Sequence, residues 1–339
     1  MTRPSSTAWP LFLLLPVLYA SHRIFLKTRK RDRRKKILQT KERVVILGSS
    51  SGIGRAIAKK YAKRGAYVCV VGRRDTKVSE AVEECRALAP GPDAALNKRI
   101  AGFVGDIAEV DAMVRLRDML QEEWNGLDTL IVAAGVSAVR PLLNIAYSPS
   151  QSATSFGAAT GDVSTDGITR VVSAASAALR GNYLGPLVAA ATFIPLLSQT
   201  SVLPSIHLIS SLASVIPAPT RSLYGSTKGA SLILYQSLSI EHPNINWSYV
   251  LPSTVEGNFR AGAVDMFSHS ESETSSASAV SVTPGLSPEM VADISIQAID
   301  TQSSAPIFVP SFLRFAHWLY WFWPGFIEGR ARKKYGFTA

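Results

Sequence analysis

The run Val44-Val45-Ile46-Leu47 leads straight into Gly48-Ser49-Ser50-Ser51-Gly52-Ile53-Gly54, and Arg55 to Ala62 follows at helical spacing. This is the feature that most constrains the fold. A short apolar, β-branched run reads as a buried strand. Glycines in a Gly-x-x-x-Gly-x-Gly pattern let the chain turn tightly and let the backbone come close to a neighbour. A helix that starts there offers free N–H groups, so a strand, a glycine turn and a helix together make a cradle for a phosphate group. A glycine turn alone is weak evidence, because any tight strand-to-helix turn can use glycine.

The rest of the chain repeats the alternation. Strands are expected near 44–47, 67–71, 100–104, 128–132, 205–209, 246–250 and 306–309, and helices near 53–64, 76–88, 108–124, 168–198, 222–240 and 287–300. Strands that alternate with helices in this way predict an α/β domain built on a doubly wound parallel sheet, the Rossmann architecture. Two stretches interrupt it. Residues 146–167, rich in Ser, Ala, Thr and Gly, read as an inserted surface loop, and the polar stretch 261–286 reads as a substrate lid.

Tyr224 and Lys228 stand four residues apart in Tyr-Gly-Ser-Thr-Lys, and Ser211 lies thirteen residues before that tyrosine. Positions i and i+4 share one helix face. An ammonium beside a phenol lowers its pKa and makes it a usable proton donor or acceptor, and a nearby serine hydroxyl could hold a carbonyl oxygen. The second strand ends in Gly72-Arg73-Arg74. An acidic residue there would bond a ribose 2′-hydroxyl, whereas arginine favours a 2′-phosphate.

Taken together and in this order, the motifs resemble the short-chain dehydrogenase/reductase family over roughly Arg43 to Pro310. The resemblance implies an enzyme that transfers hydride between NADP(H) and a carbonyl or alcohol. It implies catalytic roles for Asn182, Ser211, Tyr224 and Lys228. It implies nucleotide contacts at Gly48, Ser50, Ser51, Gly52, Ile53, Gly54, Arg73, Arg74, Asp106, Ala134, Gly135, Tyr224, Lys228, Pro252, Thr254 and Val255. Asn182 is expected to hold a water that links Lys228 to solvent. The chain departs from the family pattern at Leu47, usually threonine, at Val132 and Ala133, usually asparagines, and at Ser253, usually glycine. Within the family it looks most like the membrane-associated members, the 11-beta-hydroxysteroid-dehydrogenase-like and dehydrogenase/reductase family member 7-like groups. These imply a lipophilic substrate such as a steroid, retinoid, sphingoid or fatty-acyl derivative. A membrane-tethered nucleotide-binding scaffold without activity is the competing reading.

The net charge of +11 does not point to nucleic acid, because residues 1–43 carry +10 and 311–339 carry +4, which leaves 44–310 at −3. The positive ends point to a membrane instead. Residues 1–27 read as an anchor: Ala8 to Leu26 would span roughly 28 Å as a helix, marginal for a bilayer core of about 30 Å. Residues 28–42 read as a basic juxtamembrane linker containing Arg29-Lys30-Arg31-Asp32-Arg33-Arg34-Lys35-Lys36, which by the positive-inside rule places the catalytic domain 43–310 in the cytosol. The endoplasmic reticulum is the default membrane for lipid chemistry. Residues 311–339 read as an amphipathic aromatic and basic tail, with Trp318, Trp321 and Trp323 ahead of Arg330, Arg332, Lys333 and Lys334. The alternative cover for that tail is the enzyme's own core or a second subunit of a homodimer. Cys69 and Cys85 suggest no disulfide framework, and the five histidines show no metal-ligand spacing.

Overall fold

A computed structural model describes residues 32–147, 162–266 and 285–337. Seven strands, β1 (Arg43–Leu47), β2 (Tyr67–Gly72), β3 (Ile100–Val104), β4 (Thr129–Val132), β5 (Ser205–Ile209), β6 (Asn246–Pro252) and β7 (Ile307–Val309), form one parallel sheet in the order β3-β2-β1-β4-β5-β6-β7. The helices are α1 (Gly52–Lys63), α2 (Asp75–Leu88), α3 (Asp93–Arg99), α4 (Val110–Trp124), α5 (Leu142–Ala146), α6 (Thr165–Leu179), α7 (Gly185–Thr200), α8 (Ser222–Glu241), α9 (Pro288–Asp300), α10 (Leu313–Phe322) and α11 (Pro324–Tyr335). All seven expected strands are present. Helix α3 was not foreseen: it is a short turn opening after Pro92, with no apolar period to announce it.

Successive strand residues point to opposite faces, and both faces are covered, which is why the central strands are continuously apolar. Val44, Ile46, Val68 and Val70 pack against Ile57, Tyr61, Val82 and Val291 on the side of α1, α2 and α9. Val45, Leu47, Cys69 and Val71 pack against Met113, Leu116, Phe193 and Tyr235 on the side of α4, α7 and α8. The chain leaves β1 for β2 and β3 on one side and resumes at β4 on the other. That reversal opens a crevice above the carboxyl ends of β1 and β4, where ligands bind in sheets of this kind.

Helices α6 and α7 are joined by a π-helical turn, Arg180–Leu184, into one rod over Thr165–Thr200. The rod is long and apolar enough to cross a membrane, but half of its apolar window is buried against the protein. Ala174, Ala178, Ala189, Phe193 and Leu197 form that buried stripe, so the rod works as a core helix. The anchor expected at 1–27 lies outside the described residues.

Three expected boundaries shift. The stretch expected as a loop over 146–167 ends earlier, because Ser164 caps α6 by accepting from the Gly167 N–H at 3.1 Å; 148–161 lie outside the described residues. The expected lid, 261–286, is described only at its margins, where Leu286 bridges Val255 and residues 263–266 dock on the segment after β4; 267–284 lie outside the described residues. The expected linker is not free over residues 32–42. Arg33 turns inward and is almost fully buried, paired with Glu42 and donating to Leu203 O at 3.1 Å and Asp128 O at 3.0 Å. A run of charges does not reveal that one member will face the core.

Helices α10 and α11 carry no buried residue. Helix α10 touches the domain through Leu313 and through His317, which stacks on Phe308 at 5.6 Å. Phe315, Trp318, Trp321 and Phe322 face outward, Trp321 being 76% exposed and Phe322 71%.

Candidate active site

The glycine turn after β1 is fixed by close approach. A Cβ on Gly48, which has φ +85°, would lie 2.5 Å from the backbone of Ala134, and one on Gly54 would lie 2.3 Å from Gly48 O. Gly52, with φ +55°, faces open space instead. The turn is therefore locked on its protein side and vacant on its outer side, next to the first N–H groups of α1. Ser49 Oγ ties the turn down by donating to Ile46 O at 2.6 Å and accepting from Val71 N at 2.9 Å. Ser50 packs beneath Gly72, where a Cβ would meet its Oγ at 2.8 Å. That contact sets the turn beside Arg73 and Arg74, which are exposed and form no ion pair among the described residues.

At the end of β3, Asp106 accepts from Ala108 N at 3.0 Å and pairs with Arg180 at 3.4 Å. Arg180 also pairs with Glu109, so the Asp106 carboxylate is held by a residue that no sequence motif singled out.

The catalytic candidates converge from four elements. Ser211 follows β5 and caps a short turn, accepting from Ala213 N at 3.2 Å. Gly225 allows α8 to press on that turn, since a Cβ there would lie 2.8 Å from Ala213 O. The contact places the Ser211 side chain close enough to the Tyr224 phenol to favour its ionised form. Lys228, one helical turn on, is buried and donates to Ile209 O at 3.2 Å. A Cβ on Gly135 would meet both Lys228 Nζ and Asn182 Oδ1 at 2.9 Å, so these three residues share one small volume.

Asn182 sits in the π-helical turn, a local irregularity that frequently marks functional positions. Its Oδ1 accepts from Val136 N at 2.8 Å, and its Nδ2 donates to Val136 O and Thr227 Oγ1, each at 3.0 Å. It stitches the strand-end loop to α8, and both its amide donors are occupied by protein. Thr254 Oγ1 accepts from Arg260 at 3.2 Å, and Ser253 N donates to Val309 O at 2.9 Å, which fixes the Pro252–Val255 segment against β7.

One expectation is corrected. The spacing suggested that Lys228 lowers the pKa of Tyr224. Burial dominates and raises it; the nearby Ser211 hydroxyl and the charges of Arg221 and Arg260 pull it back down. Burial also pushes Lys228 down to about 8, so its own charge is the labile one near neutral pH.

The sequence reading missed four neighbours. Arg221 lies over the Tyr224 ring, 5.9 Å from its centroid, and donates to Ala138 O at 2.9 Å. Phe259 meets the same ring edge-on at 6.0 Å. Arg260 follows Phe259, and Asp265, fully buried, accepts from Val139 N at 2.7 Å and Arg140 N at 2.6 Å. Arg221 stands at i−3 from Tyr224 at the start of a helix, a signal that was readable. Asp265 reaches across more than a hundred positions, and no local pattern encodes that.

Comparison with known proteins agrees with this geometry. A family model described as short chain dehydrogenase matches residues 42–266. The 11-beta-hydroxysteroid dehydrogenase-like 4A protein of Arabidopsis thaliana is 28% identical over 214 residues, covering 63% of this chain and 60% of that protein. The chain thus spans about 60% of the length of that curated relative. Among solved structures, a short chain dehydrogenase from Bacillus anthracis superposes with a TM-score of 0.60 at 17% identity, covering 80% of this chain and 96% of that one. An alcohol dehydrogenase from Thermococcus sibiricus, complexed with 5-hydroxy-NADP, gives 0.57 at 17% identity, covering 79% and 95%. At such identities these two structures speak for the fold. The family match runs from the start of β1 past the Ser211, Tyr224 and Lys228 cluster, and the chain belongs to the short-chain dehydrogenase family.

Proposed function

We propose that this chain reduces a carbonyl on a lipophilic molecule, or oxidises the corresponding alcohol, with NADP(H) as its hydride carrier. The observation that carries this reading is the convergence of Ser211, Tyr224, Lys228 and Asn182 above the carboxyl ends of β4 and β5, beside a glycine turn locked on one side and open on the other. The residues fit a dinucleotide: Gly52 leaves the space a pyrophosphate needs, α1 supplies N–H groups, and Arg73 and Arg74, unpaired among the described residues, offer two guanidinium groups for a 2′-phosphate. The 5-hydroxy-NADP in the Thermococcus sibiricus structure supports the same choice.

A bound nicotinamide supplies or accepts hydride at the substrate carbon. Tyr224 donates its phenolic proton to the substrate oxygen in the reductive direction and recovers it in the oxidative one. Ser211 holds that oxygen beside the phenol. Lys228, depressed to about 8 by burial, returns a proton to the site. Asn182 fixes the loop and the helix between which Lys228 lies. Gly135 keeps the volume above them free of a side chain.

The C-terminal helices suit a membrane surface. Trp318, Trp321, Phe322 and Trp323 are exposed on α10 and the turn after it, and Arg330, Lys333 and Lys334 follow on α11. Aromatic rings with trailing cations favour the headgroup region of an anionic bilayer. The apolar residues 8–26 and the basic residues after them add an N-terminal attachment, with the domain on the cytosolic face of the endoplasmic reticulum. Arg33 takes no part in that attachment, because Glu42 holds it inside.

The test is nicotinamide turnover by the detergent-solubilised protein over steroid, retinoid, sphingoid and acyl ketones. NADPH is preferred over NADH, and Arg73→Asp reverses the preference by about tenfold or more through repulsion of the 2′-phosphate. Nucleotide binding without turnover on any ketone would favour the scaffold reading.

A further inference from the structure

We propose that Arg221 and Arg260 form an anion-binding subsite beside Tyr224, so that the substrate carries an oxyanion a short spacer away from its reacting carbonyl and an apolar chain beyond. The inference rests on the carbonyl-reductase reading above and narrows its substrate class.

Both arginines lean on the Tyr224 pocket from different elements. Arg221 precedes α8, lies over the Tyr224 ring at 5.9 Å, and spends Nη1 on two neutral partners, Ala138 O at 2.9 Å and Ser137 Oγ at 3.3 Å. Arg260 ends the short turn Asn258–Arg260, directly after the Phe259 ring that meets Tyr224, and donates to Thr254 Oγ1 at 3.2 Å. Neither forms an ion pair among the described residues. Both are half-buried, and a guanidinium is better satisfied by a charged oxyanion than by neutral partners alone.

Asp265 does not balance them. It is close enough to Arg221 to favour its charge, behind Tyr335 and Tyr224, yet its Oδ2 is committed to the N–H groups of Val139 and Arg140, and its Oδ1 has no hydrogen-bond partner among the described residues. Among the described residues, the two guanidinium groups are thus not matched by a paired carboxylate. Burial and the repulsion from Arg260 both oppose the charge on Arg221. A further oxyanion would relieve this excess, and a guanidinium fork is the geometry that holds carboxylates and phosphates best.

Thr220 and Ser222, on either side of Arg221 in the chain, line an open cavity of about 510 Å³ together with Pro141, Leu142, Ala218, Pro219, Arg332 and Phe337. Its proline, leucine and phenylalanine walls suit the apolar part of a substrate, and Arg332 adds a further cation at its rim.

The experiment uses the full-length, detergent-solubilised protein with NADPH and a series of long-chain oxo carboxylic acids of graded spacer length, each paired with its methyl ester. The best acid is expected to exceed its ester in kcat/KM by at least about tenfold, with the advantage shrinking at high salt. Arg221→Gln and Arg260→Gln should each bring the acid-to-ester ratio towards one. A matching phosphate monoester arm distinguishes which oxyanion is preferred. A ratio near one in the unaltered protein overturns the proposal. So does an unchanged ratio in both variants, whether the only effect is a weaker KM for NADPH, which would assign Arg260 to the nucleotide, or a shifted pH optimum for acid and ester alike, which would assign the arginines to the phenol. Calorimetric binding of decanoate against methyl decanoate reads the subsite without turnover. Acid-selective binding with no reduction of any ketone would sink the reductase reading and keep the subsite; equal binding would sink the subsite alone.

Discussion

The two ends of the same sheet treat charge in opposite ways. At the amino ends of β1 and β4 the charges are paired. Arg33 meets Glu42, which also accepts from Thr129 Oγ1 at 2.7 Å, and Arg43 grips Asp128 with bonds of 2.8 and 2.9 Å, while Ser201 Oγ donates to the same carboxylate at 2.7 Å. At the carboxyl ends Arg180 pairs with Asp106 and Glu109, but Arg73, Arg74, Arg221, Arg260 and Lys228 form no ion pair among the described residues. The strands are the same, so the difference lies in what each end is for. Paired charges lock the layers together. Unpaired ones are a standing cost that a ligand removes, which is why perturbed groups gather where chemistry happens.

The comparison breaks most readily at the paired end. Arg33→Leu leaves the Glu42 carboxylate buried without its partner and should lower stability by about 3–5 kcal/mol in chemical denaturation, while nucleotide affinity is unchanged. An equal loss of nucleotide binding would mean that the two ends are not separable. At the other end, Gly48→Ala puts a methyl group 2.5 Å from the Ala134 backbone and should cost about 3 kcal/mol, because backbone cannot move aside as a side chain can. Unlike the Arg33 variant, it should weaken nucleotide binding as well, measured by fluorescence titration.

A smaller effect sharpens the contrast through pH. His207 is buried in β5; its Nδ1 meets Ser248 Oγ at 2.7 Å, its Nε2 has no hydrogen-bond partner among the described residues, and burial pushes its pKa down to about 3. An unfolded histidine takes up its proton near 6.5, so the unfolded state binds the proton first as pH falls. Stability is intact above about 6.5 and is lost progressively from there down to about 3, by about 2 kcal/mol at pH 5. Denaturation at pH 7 and pH 5 should show this loss, and His207→Gln should reduce it.

Much of this arrangement was legible in the sequence. The seven strands follow from continuous Val, Ile and Leu runs, and the cradle from glycines whose spacing matches what close backbone approach requires. The Tyr224 and Lys228 pair followed from one helical turn, and Asn182 from its resemblance to a family motif. What escaped depends on contacts between distant segments. Asp265 finds the N–H groups of Val139 and Arg140, and Arg33 finds Leu203 and Asp128, across separations with no periodicity to read. The direction of the Tyr224 pKa shift escaped for another reason. Spacing sets which face a side chain shares, but burial sets its charge, and burial is a property of the whole fold.

The central claim is that Tyr224 transfers the proton. Tyr224→Phe keeps the ring that packs against Phe259 and under Arg221, and removes only the hydroxyl. Measured side by side, NADPH affinity should remain within about twofold, while kcat on the best ketone falls by at least about a hundredfold, the scale of general acid catalysis. Turnover close to that of the unaltered protein, with affinity intact, would contradict the account.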